Sequence, residues 1–104
     1  MSAEEVLRLK AATQILADTI SADVHRGDVA SLRHDIAELG KEYPDAPRTI
    51  LWQMNLAFVD KDFPKADALY QRLMTQYPDV QNMRAKFTHD YQGLTRAYNS
   101  PLQK

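Results

Sequence analysis

The sequence predicts an all-α fold. Apolar residues recur at steps of three and four along nearly the whole chain, and no stretch alternates at period two. Only three glycines, Gly27, Gly40 and Gly93, occur in 104 residues. At roughly 100–200 residues per domain, one domain over 1–104 is expected. Burying about two-thirds of the unfolded surface closes a core of that size without metals or disulfides.

Five helical segments follow between the breakers. The first opens on Ser2-Ala3-Glu4-Glu5, where Ser2 can accept from the Glu5 amide in a capping box. Its stripe is Val6, Leu9, Leu16, Ile20 and Val24, and it stops near His25-Arg26-Gly27, where glycine can turn left-handed. Asp28 caps the second, which carries Val29, Leu32, Ile36 and Leu39. Tyr43-Pro44 ends it, because Pro44 has no amide donor and pushes Tyr43 out of the α region. The third starts at Asp45 or Pro47 with proline in its first turn, includes Ile50, Leu51, Met54, Ala57 and Phe58, and ends near Asp60-Lys61. The fourth begins at Asp62 and buries Phe63, Ala66, Leu69, Tyr70 and Leu73 before Tyr77-Pro78. The fifth, capped by Asp79, has the cleanest stripe: Val80, Met83, Phe87, Tyr91, Leu94 and Tyr98. Asn99-Ser100-Pro101 ends it, and Leu102-Gln103-Lys104 is expected to fray.

An internal repeat organises these segments. Glu42-Tyr43-Pro44-Asp45-Ala46 returns as Gln76-Tyr77-Pro78-Asp79-Val80, 34 residues on. At the same offset Asp28 falls on Asp62, Val29 on Phe63, Ile36 on Tyr70 and Leu39 on Leu73. A 34-residue helix–turn–helix period resembles the tetratricopeptide repeat (TPR) family. Lys61-Asp62-Phe63-Pro64-Lys65-Ala66 looks like that family's inter-helix turn, with Tyr70 as the second-helix aromatic and Pro78 closing the repeat. The chain departs from the pattern at Leu73, Leu32 and Leu39, where small residues are usual, and at Gln53-Met54, where Leu-Gly is usual. The resemblance implies antiparallel hairpins at about 3–43 and 46–77 and a C-terminal capping helix at about 79–98. These are about two and a half repeats, five helices in a short right-handed superhelix, splayed by the bulky residues.

The same resemblance implies a function. In the family, the first helices of successive repeats line a concave groove that takes peptides or folded partners. Carried over, that surface has Arg48, Leu51, Trp52, Asn55, Phe58 and Val59 at its centre. Gln14, Ala17, Asp18, Ser21 and His25 flank it on one side, and Asn82, Lys86 and His89 on the other. Trp52, Phe58 and Val59 are apolar without being required by the repeat, as binding anchors are. For Trp52, a place in the groove and a place in the core both fit the sequence. One subclass of the family clamps a terminal carboxylate, but Ala17, Ser21 and Trp52 occupy the places its basic and asparagine residues would need. The first segment also carries Leu7, Ala11 and Ile15 beside its main stripe, a second apolar face suited to a homodimer or heterodimer.

Other classes find less support. Thirteen basic against fourteen acidic residues give no excess of positive charge for nucleic acid, and no basic stripe or apolar face marks a membrane surface. Without cysteine there is no disulfide, thiolate ligand or thiol nucleophile, which accords with the cytoplasm. The polar, acidic start is unlike a signal peptide, and no apolar run reaches the ~18 residues of a membrane span. His34-Asp35 and His89-Asp90 resemble the dyad of metal-dependent hydrolases, yet adjacent helical residues point about 100° apart. No zinc helix, phosphate loop or nucleophile elbow appears, so catalytic residues, metal and cofactor are all expected to be absent. Arg26-Gly27-Asp28 is explained by its turn. The expectation is a protein-binding adaptor, with a secretion-type chaperone working as a heterodimer as the alternative.

Overall fold

Side-chain caps mark where three of the helices begin, at Ser2, Asp28 and Asp62, in a computed structural model that describes residues 1–99. Helix α1 (Ala3–Ala12) opens with both arms of the capping box: the Glu5 amide donates to Ser2 Oγ and the Ser2 amide to Glu5 Oε1. Those bonds hold the Glu5 carboxyl below its usual range. The expected fraying of Leu102-Gln103-Lys104 lies outside the described residues.

The first segment is two helices, a correction to the continuous one expected. Thr13 separates α1 from α2 (Gln14–Arg26), and six helices occur among the described residues instead of five. Thr13 is fully buried, and its hydroxyl donates to the Leu9 carbonyl at 2.7 Å, competing with the helix ladder. The Lys10 carbonyl turns instead toward α4, where the Arg48 guanidinium donates to it at 3.1 Å. The break lets Val6 of α1 and Ile20 of α2 enter different apolar clusters. Val24, at the end of the stripe, is 51% exposed, as is Val29 at 46%, because both lie at the hairpin tip.

Helices α3 (Val29–Glu42), α4 (Pro47–Val59) and α5 (Phe63–Thr75) follow the proline and aspartate signals closely. The two tight turns are copies of one another. Gly27 and Lys61 are both left-handed (φ 69° and 56°), and their amides donate to Val24 and Phe58 carbonyls. Asp28 and Asp62 amides then reach back to Asp23 and Ala57, and their carboxylates accept from Ser31 and Lys65 amides. Every partner is displaced by 34 residues, so the turn repeats bond for bond.

Helix α6 (Met83–Ala97) starts later than Asp79 predicts. Gln81 and Asn82 are left-handed (φ 54° and 60°), which delays the first helical residue. Asp79 nevertheless accepts from the Arg84 amide at 3.0 Å and so satisfies an unpaired donor of the first turn.

Two apolar clusters hold these helices. One joins Val6, Ile50, Met54, Phe58, Ala66, Leu73 and Phe87 across α1, α4, α5 and α6. Within it Tyr70 stacks on Tyr91 at 4.0 Å, while the Tyr91 hydroxyl donates to Asp67; burial, then that bond, pushes Tyr91 up to about 12. The other cluster is Ile20, Leu32, Ile36 and Leu39 of the α2–α3 hairpin, tied to α4 by Trp52 and Leu56. The molecule measures 36 × 31 × 19 Å, so its thin dimension is about two helix diameters. No described helix is long and apolar enough to cross a membrane.

The duplicated turns give a paired prediction. Gly27→Ala forces a Cβ into a left-handed residue and should lower unfolding free energy by about 1 kcal/mol, although nothing lies within 4 Å to clash with it. Lys61→Gly should raise it by up to about 1 kcal/mol by removing the same strain. Urea denaturation of both variants measures the two signs.

Candidate functional site

Helix α4 has two working faces. Ile50, Met54 and Ala57 are buried against α5 and α6 along one face, and Phe58 is buried at the C-terminal end of the helix. Arg48, Leu51, Trp52 and Asn55, spaced 3-1-3, lie on the other face and floor an open cavity of about 540 Å³. Helix α2 forms one wall with Gln14, Ala17, Asp18 and Ser21, and α6 forms the opposite wall with Lys86, His89, Asp90, Gly93 and Leu94.

The residues singled out from sequence fall in three places. Arg48, Leu51, Trp52, Asn55, Lys86 and His89 all line the cavity. Val59 does not; it lines an adjoining hollow of about 270 Å³ that shares Trp52, Asn55 and Leu94 with the first. Phe58 is a correction: only 1% exposed, it is core. Phe63 and Tyr98 close over its ring at 6.1 Å each and Tyr91 at 5.9 Å. His25 and Asn82 line neither space. Leu7 (39% exposed) and Ile15 (79%) are open to solvent with Ala11 on the outside of α1 and α2.

Trp52 serves both roles that the sequence left open. It is half-buried, packs on the α2–α3 cluster and presents its remaining surface to the cavity. Asp90, Gly93 and Leu94 were missed in the sequence, yet Lys86, Asp90 and Gly93 at i, i+4 and i+7 trace one face of α6. Gly93 was read there only as a helix cost. A Cβ built on it would meet nothing within 4 Å, so the missing side chain leaves that wall open.

The cavity's charges are mixed and unevenly satisfied. Lys86 Nζ reaches Asp90 at 3.4 Å, and Gln14 donates to Asp18 at 2.8 Å. Among the described residues Arg48 donates to neutral oxygens only, the Lys10 carbonyl and, at 3.4 Å, the Thr13 hydroxyl. Burial pulls its guanidinium below the usual arginine value, opposed by the charge of Asp18. Asn55 donates back to the Leu51 carbonyl at 3.0 Å.

Behind the α2 wall lies a carboxyl pair. Asp23 is 1% exposed and is bridged by Arg26 through Oδ1, while its Oδ2 has no hydrogen-bond partner among the described residues. Hydrogen bonding to Asp23, then burial, then repulsion by Asp23 raise Asp35 above its ordinary value, against the pull of His34 and Arg26.

Comparison with protein-family models, with curated proteins and with solved structures gives no match, so what the cavity can do is read from its own side chains. It offers aromatic and aliphatic surface with polar groups at its margins. No group of three or more His, Asp or Glu among the described residues is arranged to hold a metal ion.

The carboxyl pair predicts a pH dependence. With a raised folded value, Asp35 stabilises the fold fully below its unfolded value of about 4, and that contribution is lost as pH rises through the raised value. Asp35→Asn keeps a donor toward Asp23 at every pH. The variant's melting temperature relative to wild type should therefore climb from pH 4 to pH 7; a difference that stays flat contradicts the shared proton.

Proposed function

We propose that the chain is a non-enzymatic, TPR-like interaction module that binds a peptide or helix of a partner protein in the groove floored by α4. The observation that carries this is the convergence of α2, α4 and α6 on one cavity, each contributing residues one helical face wide. Two further features support the reading. The inter-helix turn repeats its hydrogen bonds at 34 residues, and α4 packs with both α5 and α6 as a repeat's first helix does with its neighbours. Binding energy would come from covering Leu51 and Trp52, with a fully buried aromatic anchor supplying a few kcal/mol. Asn55, Lys86 and His89 at the margins would set orientation.

A second reading concerns association. Ile15 is 79% exposed on the same outer face as Leu7 and Ala11, which suits a helix-to-helix contact with another copy or a helical partner. On that reading Ile15→Asp shifts the protein to monomer in light scattering, and a wild-type monomer at high concentration counts against self-association.

The groove is tested with two variants read together. Trp52→Ala should abolish capture of the partner from native lysate, with some loss of stability because the indole also packs on the α2–α3 cluster. Gly93→Met instead fills the wall from open space and improves helix propensity by up to about 1 kcal/mol, so it should lose the partner while melting no lower than wild type. Mass spectrometry that finds the same proteins on both variants as on wild type rules the groove out.

A further inference from the structure

We infer that, where α1, α4 and the start of α6 meet, the groove takes an aliphatic side chain flanked by aspartate or glutamate on the partner. This specificity presupposes that the groove binds a protein segment. It adds the chemistry of that segment.

At this end the groove runs into a hollow of about 120 Å³, joined to the main cavity through Arg48, Leu51 and Lys86. Its volume is about that of four waters, the scale of one aliphatic side chain. Val6, Leu51, Met83 and Phe87 supply an apolar floor. Around the rim stand three cations from three helices: Lys10 of α1, Arg48 of α4 and Lys86 of α6.

These charges are poorly neutralised within the chain. Lys10 Nζ donates to the uncharged Gln81 side chain at 2.9 Å. Arg48 is half-buried, and among the described residues no carboxylate lies within 4 Å of its guanidinium. Lys86 alone has an acidic partner, Asp90, at a long 3.4 Å and with the lysine side chain 66% exposed. Desolvation already weighs on the charged form of Arg48. A carboxylate arriving here would meet a planar guanidinium with unused donors and two flexible ammonium groups. A neutral segment would leave those charges as they are, and a basic one would be repelled. The apolar floor under the cations asks for an aliphatic residue beside the acid.

Four synthetic peptides test this against the 104-residue protein, followed by backbone amide NMR shifts and by the fluorescence of its single tryptophan. They are acetylated, amidated Ser-Glu-Glu-Leu-Glu-Glu-Ser, its glutamine counterpart, its lysine counterpart, and a neutral peptide ending in leucine with a free carboxylate. The acidic peptide should bind on the order of tenfold more tightly than the glutamine form, with shifts gathered at Lys10, Leu51, Lys86 and Phe87. That advantage should vanish in 0.5 M salt and fall in Lys10→Gln/Lys86→Gln, which removes two of the three cations from exposed side chains without setting a second acid beside Asp90. Equal binding of the glutamine or lysine form at the same amides overturns the acidic specificity while leaving the groove intact. Tighter binding of the free-carboxylate peptide overturns the assignment to an acidic side chain. No shift from any peptide overturns the inference, and the groove reading falls with it only if capture is also insensitive to Gly93→Met.

Discussion

Helix α4 carries one ionisable side chain, Arg48, in its thirteen residues, so it can give little of its circumference to water without exposing apolar surface. That constraint sets the arrangement of the rest. Helices α1, α3, α5 and α6 all pack on it. At Gly40 of α3 an added Cβ would stand 2.9 Å from Nε2 of the Gln53 side chain, which reaches across from α4. The flank that holds Leu51, Trp52 and Asn55 is left uncovered, and there α2 and α6 form separate walls on either side. The cavity is thus the remainder of an incomplete burial around the most apolar helix of the chain.

The division of the core into two clusters explains why that remainder stays open. Leu32 and Leu39, together with Ile20 and Ile36, give α2–α3 an apolar cluster of its own. The hairpin satisfies most of its apolar surface internally and meets α4 through Trp52 and Leu56. An indole is wide enough to bridge the gap on one side while its other edge faces the groove. On the proposed reading, stability and binding would share Trp52, and a substitution that reaches the groove from Gly93 would separate them where one at Trp52 does not.

Much of this was legible in the sequence because it rests on local chemistry. Ser2, Asp28 and Asp62 announce caps, Pro47 and Pro64 announce first turns, and the 34-residue offset announces that Gly27-Asp28 and Lys61-Asp62 are the same turn. The cavity residues of α4 were legible as one helical face. What escaped depends on tertiary partners. At the break at Thr13 the Lys10 carbonyl accepts from the local Thr13 hydroxyl at 3.3 Å and also from Arg48, 38 residues away, at 3.1 Å. Phe58 differs from Leu51 by two turns and points nearly the same way, yet Phe63 and Tyr98 cover it at the far end of the helix. The late start of α6 arises from two left-handed residues, Gln81 and Asn82, whose types do not demand that conformation.

Arg48 connects these levels. From α4 it caps the broken end of α1 by donating to Lys10, and from the same position it lines both the cavity and the small hollow beside it. A guanidinium has five donors in one plane, so engaging a carboxylate in the groove does not require it to release the carbonyl. The outward face of Leu7, Ala11 and Ile15 spans that break, with Ala11 and Ile15 two residues either side of Thr13. Its geometry is therefore set by the side chain that forms the groove's cationic end. On the reading proposed above, a ligand on Arg48 would touch the residue that also bonds the end of α1, and any coupling between the two would act equally in both directions.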